Sequence, residues 1–246
     1  AESKFAPTDW PNWRGLTSDG QAKLVEGLPT EWSETNNVVW KTPIPGKGHS
    51  TPTVVGGRIY LATADEEEMF QSVLCLDKAN GRVVWQTKVH EGQFAIGLNT
   101  NASHASTAVG HDGERLYVNF VIGNQAFASA LSLEGKVLWQ KPIGKYKVHQ
   151  GYGSSPMVYR DIVVMKADTK IGGAIVGLDK KTGREIWRQD RPKIANYTTP
   201  MVVEAAGRLQ MVFCGCKLVT SLDPLTGKKL WEVPGSTEEC VSTLVT

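Results

Sequence analysis

Four stretches of this 246-residue chain are copies of one another: CLDKANGRVVW (75–85), ALSLEGKVLW (130–139, one residue shorter), GLDKKTGREIW (177–187) and SLDPLTGKKLW (221–231). Their closing tryptophans, Trp85, Trp139, Trp187 and Trp231, lie 54, 48 and 44 residues apart, and Trp40 precedes the first by 45. A second series runs in phase. HSTPTVV, ASTAVG, GSSPMVY, YTTPMVV and VSTLVT place their first Ser or Thr at 50, 106, 154, 198 and 242, a mean period of 48 residues. Self-similarity at a fixed period of this size marks a repeat architecture.

Within each period the pattern is that of strands: short β-branched and aromatic runs broken by Gly and Asp. In the first period TPTVV, RIYLAT, SVLCLD and RVVWQTKV are separated by GG, the acidic ADEEEMF stretch and KANG. DKANG, DKKTG and DPLTG each put an Asp where its side chain can hold a turn and a Gly where φ can be positive, so each reads as a tight hairpin between the third and fourth strands. A four-stranded unit repeated every 48 residues is one blade of an all-β propeller, the period falling between those of WD40 and kelch blades. The tryptophans read as packing between blades. A buried indole removes on the order of 200 Å² from water and needs a flat slot free of side chains; the small residues Cys75, Ala130, Gly177 and Ser221 and the glycines Gly81, Gly135, Gly183 and Gly227 provide it.

The run of small-x-Asp-x-x-x-Gly-[Lys/Arg]-x-x-Trp motifs resembles the tryptophan-docking repeat of the PQQ-like (pyrroloquinoline-quinone-type) β-propellers, over essentially the whole chain from Trp40 onward. The opening DWPNWRGLTSDG and the segment LPTEWSETNNVVWKTPIPGKGHSTP are similar to PQQ-like repeat proteins abundant in planctomycete-type bacteria. The resemblance implies a periplasmic or secreted bacterial protein and a family that holds quinoprotein dehydrogenases, a scaffold of outer-membrane protein assembly and uncharacterised members. It implies, for an enzyme, PQQ and Ca²⁺ in the central funnel beneath an adjacent Cys-Cys pair. This sequence departs from that pattern: its four cysteines, Cys75, Cys214, Cys216 and Cys240, include no adjacent two, and no acidic residue stands in the segments leading into the Ser/Thr series before Glu238 and Glu239.

Composition narrows the function further. Lys and Arg number 27 against 25 Asp and Glu, a formal net charge of +2, too small and too evenly spread for the basic face that nucleic acid requires. No apolar run approaches the roughly 20 residues of a membrane helix. The cysteines are too few and irregular for a disulfide framework, and Cys214-Gly215-Cys216 is tighter than the C-x-x-C of zinc and redox motifs. The acidic run Asp65, Glu66, Glu67, Glu68 lacks the alternation of a cation loop and reads as a solvated turn at a blade edge. No G-x-S-x-G is present, and Ser155 belongs to the repeat.

In a propeller the innermost strand of each blade lines the central channel, so loops entering the Ser/Thr series converge on a funnel. They carry Lys47 and His49; Ser103 and His104; His149, Gln150 and Tyr152; Asn196 and Tyr197; Glu239 and Cys240. His49, His104, His149, Tyr152, Asn196, Tyr197 and Glu239 are the candidate ligand or partner residues, without a catalytic or metal assignment. His90 and His111 read as surface. The expected organisation is an N-terminal extension over 1–39 and a propeller over 40–246, with blades at about 50–97, 105–143, 153–191 and 197–234 and the start of another at 241–246. NVVWKTPI reads as a fourth strand lacking its first three. A ring of seven or eight blades, roughly 340 to 400 residues at this period, is expected, of which this chain would be an N-terminal part. The function expected is a non-catalytic scaffold without bound cofactor, engaging a protein or a small polar ligand at the funnel. Two alternatives stand: a quinoprotein oxidoreductase acting on alcohols or sugars with PQQ and Ca²⁺, and a carbohydrate-binding propeller using Tyr152 and Tyr197.

Overall fold

The computed structural model describes residues 4–23 and 26–244; the parts of the extension at 1–3 and 24–25, and Val245 and Thr246 of the last Ser/Thr copy, lie outside them. The chain is an all-β propeller of four antiparallel four-stranded sheets, each in simple sequence order. Blade 1 holds β1 (Thr53–Val55), β2 (Arg58–Asp65), β3 (Phe70–Asp77) and β4 (Val83–Glu91). Blade 2 holds β5 (Gly110–His111), β6 (Arg115–Ile122), β7 (Gln125–Ser132) and β8 (Val137–Lys145). Blade 3 holds β9 (Met157–Tyr159), β10 (Ile162–Ala167), β11 (Gly173–Asp179) and β12 (Glu185–Arg191). Blade 4 holds β13 (Met201–Ala205), β14 (Arg208–Gly215), β15 (Leu218–Leu222) and β16 (Lys229–Pro234). The middle strands are largely buried, whereas β4, β8, β12 and β16 are mostly exposed, as inner strands covered on both faces and edge strands respectively are.

Three of the four repeat motifs build the same corner. In the first, the Asp77 carboxylate accepts the Ala79 backbone N–H and the Gly81 N–H closes onto the Asp77 carbonyl at 2.8 Å; Asp179 with Gly183 and Asp223 with Gly227 repeat the arrangement. Directly across the strands, the small residue faces the tryptophan: Cys75 opposite Trp85, Ala130 opposite Trp139, Gly177 opposite Trp187 and Ser221 opposite Trp231. A Cβ on Gly177 would lie 2.3 Å from the Trp187 ring. The indole then reaches forward onto the hairpin of the next blade. Trp40 donates to Lys78 O, Trp85 to Leu133 O, Trp139 to Lys180 O and Trp187 to Pro224 O, at 3.0 to 3.2 Å, each lying over Gly81, Gly135, Gly183 or Gly227 of that hairpin. These glycines have φ of 69 to 88°. Both the left-handed backbone and the ring above it exclude a side chain there.

The Ser/Thr series links the blades at their inner ends. The hydroxyl of Ser155 accepts the Ala108 N–H at 3.0 Å, Thr199 accepts that of Ser155 at 2.9 Å, and Thr243 accepts that of Thr199 at 3.3 Å. Three apolar clusters fill the spaces between blades 1 and 2, 2 and 3, and 3 and 4; among the described residues no such cluster joins blade 4 to blade 1.

The structure departs from the sequence reading in two places. Beside these, the N-terminal extension packs on the blades: Trp10 pairs with Val54 of β1 through two backbone hydrogen bonds, the Pro11 carbonyl accepts the His111 N–H at 2.9 Å, and the Trp13 indole donates to Thr243 at 3.1 Å. A polar segment satisfies the inner-edge backbone groups that the short strands β1 and β5 leave open. Residues 38–44 and 241–244 form no strand, having no sheet of their own to pair with. His111 is buried against Phe5 and Tyr60, and His90 packs edge-on against Phe120 at 6.1 Å and over Phe127 at 4.8 Å; neither is a surface histidine. Burial brings both down to about 4.

Candidate functional site

The loops that precede the inner strands meet on one face, and their side chains fall into two groups. On the side of blades 1 and 2, His49 is exposed and its backbone N–H donates to Ala105 O at 2.9 Å. His104 stacks on Phe94 with ring centroids 4.3 Å apart, and burial, with Lys47 nearby, lowers its imidazole below the ordinary value. On the side of blades 3 and 4 three loops are tied by charge. Glu239 lies 3.1 Å from His149 Nε2 and 3.6 Å from Lys170 Nζ, and Lys170 Nζ is 2.9 Å from the same imidazole nitrogen. That nitrogen either donates to Glu239 or accepts from Lys170. His149 and Glu239 are thus brought together, while His49 and His104 share only the Ser103 turn.

Beneath this mouth lies a buried polar layer. Tyr152 accepts from Asn119 Nδ2 and donates to Lys166 O at 2.9 Å, with its ring edge-on to Tyr146 at 5.2 Å; burial raises its phenol well above the usual range. Its hydroxyl is turned inward as a strut between blades 2 and 3. Tyr197, partly exposed, is raised to about 12 by burial, with the Glu239 charge adding. Asn196 donates to Asp168 Oδ2 at 3.2 Å and to Cys214 O at 2.9 Å, and its Oδ1 accepts the Cys240 N–H at 3.0 Å. Asp168 in turn binds Lys166 Nζ and Arg191 Nε, both at 2.9 Å, with all three side chains buried. Burial works against its charge, but the two cations outweigh this and hold Asp168 below the usual carboxylate range. Arg191 also covers the Phe213 ring at 4.8 Å.

The triad of Lys166, Asp168 and Arg191 went unseen in the sequence reading. A signal was present: Lys166 and Asp168 stand two apart in VVMKAD, on the same face of an otherwise apolar strand. Charges at such positions are buried only when paired. A buried ion triad adds little net stability, because desolvation offsets most of the attraction.

Between blades 2 and 3 the same face opens into a cleft of about 520 Å³, lined by Ala95, Ile96, Tyr146, Val148 and Ile171, with Lys145 and Lys147 as its charged residues. Ile96 is 86% exposed. Asp65 folds the acidic turn by accepting the Glu67 and Glu68 N–H groups at 3.0 and 2.9 Å. Among the described residues there is no group of three or more His, Cys, Asp or Glu able to hold a metal ion, and the buried Asp168 carboxylate is already taken by two cations. Ca²⁺ asks for six to eight oxygens. Asp168 is therefore not open to such an ion. No helix among them is long and apolar enough to cross a membrane.

Solved structures share this arrangement of blades. A quinohemoprotein alcohol dehydrogenase from Pseudomonas putida HK5 is 16% identical with a TM-score of 0.64, over 93% of this chain and 40% of its own. A europium-containing methanol dehydrogenase is 14% identical with a TM-score of 0.65, over 94% and 49%. BamB from Moraxella catarrhalis is 16% identical with a TM-score of 0.53, over 81% and 55%. The chain spans about half the length of these proteins, and the likeness shows the fold. No curated protein matches it by sequence. The family profile described as outer membrane protein assembly factor BamB, of the PQQ-repeat type, matches residues 25–151 and 70–243. On that match, with the blade geometry beside it, this chain belongs to the PQQ-type β-propeller family that bears the BamB description.

Proposed function

We infer that this propeller is a non-catalytic interaction scaffold, periplasmic or secreted, which engages a protein partner on its funnel face. The observation that carries this reading is the cleft between blades 2 and 3: an apolar floor ending in the exposed Ile96, rimmed by Lys145 and Lys147, with no acidic residue in its lining. Such a surface suits an acidic segment with apolar side chains, the lysines drawing it in and the floor supplying the contact area. The docked tryptophans hold the loops rigid, so little ordering entropy opposes association. Where the whole protein extends to seven or eight blades, the same face continues around the ring.

The test uses a fluorescent 12-residue peptide of alternating acidic residues and leucines, with a lysine-for-acid version as control. Binding of the acidic peptide, weakened about tenfold in Ile96→Asp and in Lys147→Glu, supports the scaffold; a tenfold change corresponds to about 1.4 kcal/mol. Equal binding in wild type and both variants overturns the cleft. Dye reduction on alcohols or sugars after addition of PQQ and Ca²⁺ overturns the non-catalytic reading.

A further inference from the structure

Two of the four cysteines meet where the last loop crosses blade 4. Cys214 is buried on β14, and Cys240 is partly exposed in the loop that carries Glu239. The Asn196 amide grips both, donating to Cys214 O and accepting from the Cys240 N–H. The Tyr197 N–H donates to Cys240 O at 3.1 Å, and Cys214 Sγ lies 3.8 Å from Ser242 O, two residues beyond Cys240. The two thiols lie close enough to act on each other's ionisation. We propose that Cys214 and Cys240 are a redox pair that closes to a disulfide and pins the loop 235–244 onto blade 4. This goes beyond the scaffold reading and does not depend on it.

The chemistry is thiol–disulfide exchange with a low-molecular-weight disulfide as oxidant. The Cys240 thiolate attacks one sulfur of that disulfide and expels the first thiolate. Cys214, losing its proton, attacks the Cys240 sulfur of the mixed disulfide, forms the S–S bond of about 2.05 Å and expels the second. Two electrons pass from the protein dithiol to the oxidant, and the two protons end on the two released thiols. Cys240 is suited to the attacking role. Burial opposes its ionisation, yet its interactions with Thr237, Ser236 and Cys214 hold its thiol below the ordinary value. Burial raises Cys214 above its ordinary value and pushes Cys75 and Cys216 up to about 11, so Cys240 is the thiol best placed to attack first. Closure would fix Glu239 against His149 and Lys170.

The purified chain is incubated in a mixture of reduced and oxidised glutathione, quenched in acid, denatured, alkylated and mapped without reduction. The expected result is a linked pair of peptides containing Cys214 and Cys240, with Cys75 and Cys216 alkylated, and slower hydrogen exchange over 236–244 after oxidation. In Cys214→Ser, Cys240 should stop as the glutathione adduct; in Cys240→Ser, Cys214 should remain a thiol. A wild-type chain that ends as the Cys240 adduct, a Cys216–Cys240 link, or no oxidation at all overturns the pairing.

Discussion

Trp187 and Trp231 close the same motif, yet their surroundings differ. Trp187 is 7% exposed, sits opposite Gly177 of its own blade and lies over Gly227 of the next, where it donates to Pro224 O. Trp231 sits opposite Ser221, is only partly buried and donates at 2.7 Å to Gln210 Oε1 within its own blade. Among the described residues no hairpin follows to receive it. Trp40 gives the reverse case, a docking residue without strands of its own that still lies over Gly81 and donates to Lys78 O. The receiving hairpin, and not the parent strand, makes the docking site. The motif is therefore a device for joining consecutive blades.

Substitutions at the docking sites separate the two tryptophans. Trp187→Ala should cost the most, about 3 to 5 kcal/mol, seen as a fall in melting temperature of roughly 10 °C by circular dichroism. Gly183→Ala puts a methyl 2.7 Å from the Trp139 ring at φ 70°, and about 2 kcal/mol of strain is expected from denaturant titration. Trp231→Ala should cost only about 1 kcal/mol, for one hydrogen bond and part of a ring; a loss equal to that of Trp187→Ala would mean that burial within the blade, and not docking, sets the energy. The smallest effect near neutral pH lies between blades 1 and 2. His90 and His111 are depressed by burial to about 4 in the folded chain, against about 6.5 unfolded. The unfolded chain then binds more protons, so their contribution is complete above about pH 6.5 and is lost as pH falls toward 4. His90→Phe should flatten that acid limb of the melting curve and leave the value at pH 8 nearly unchanged.

Much of this was legible in the sequence because it repeats: the strand content, the blade as the unit, the hairpin residues and the small-residue partners of each tryptophan. Which glycine receives which indole was not, since Gly183 and Gly227 are equally distant in type from Trp187 and only the stacking of blades decides. The Ser/Thr series marked the inner strands, but its hydroxyls turned out to bridge one blade to the next, a pairing 44 to 47 residues apart in the chain. The N-terminal stretch carried no periodic signal, and its backbone pairing with β1 depends on edge groups that sequence does not display. Of the funnel residues, Asn196 meets Cys240 while anchored to Asp168, a carboxylate that the sequence shows only as a charge beside an apolar strand.

A double-mutant cycle separates docking onto the next blade from packing within the blade. Denaturant unfolding of Trp187→Ala, Gly227→Ala and the double variant is set against Trp187→Ala with Gly183→Ala, the glycine of its own motif. Forward docking predicts a coupling energy of about 1 to 3 kcal/mol for Trp187 with Gly227 and under about 0.5 kcal/mol for Trp187 with Gly183. Coupling to Gly183 with none to Gly227 would contradict it.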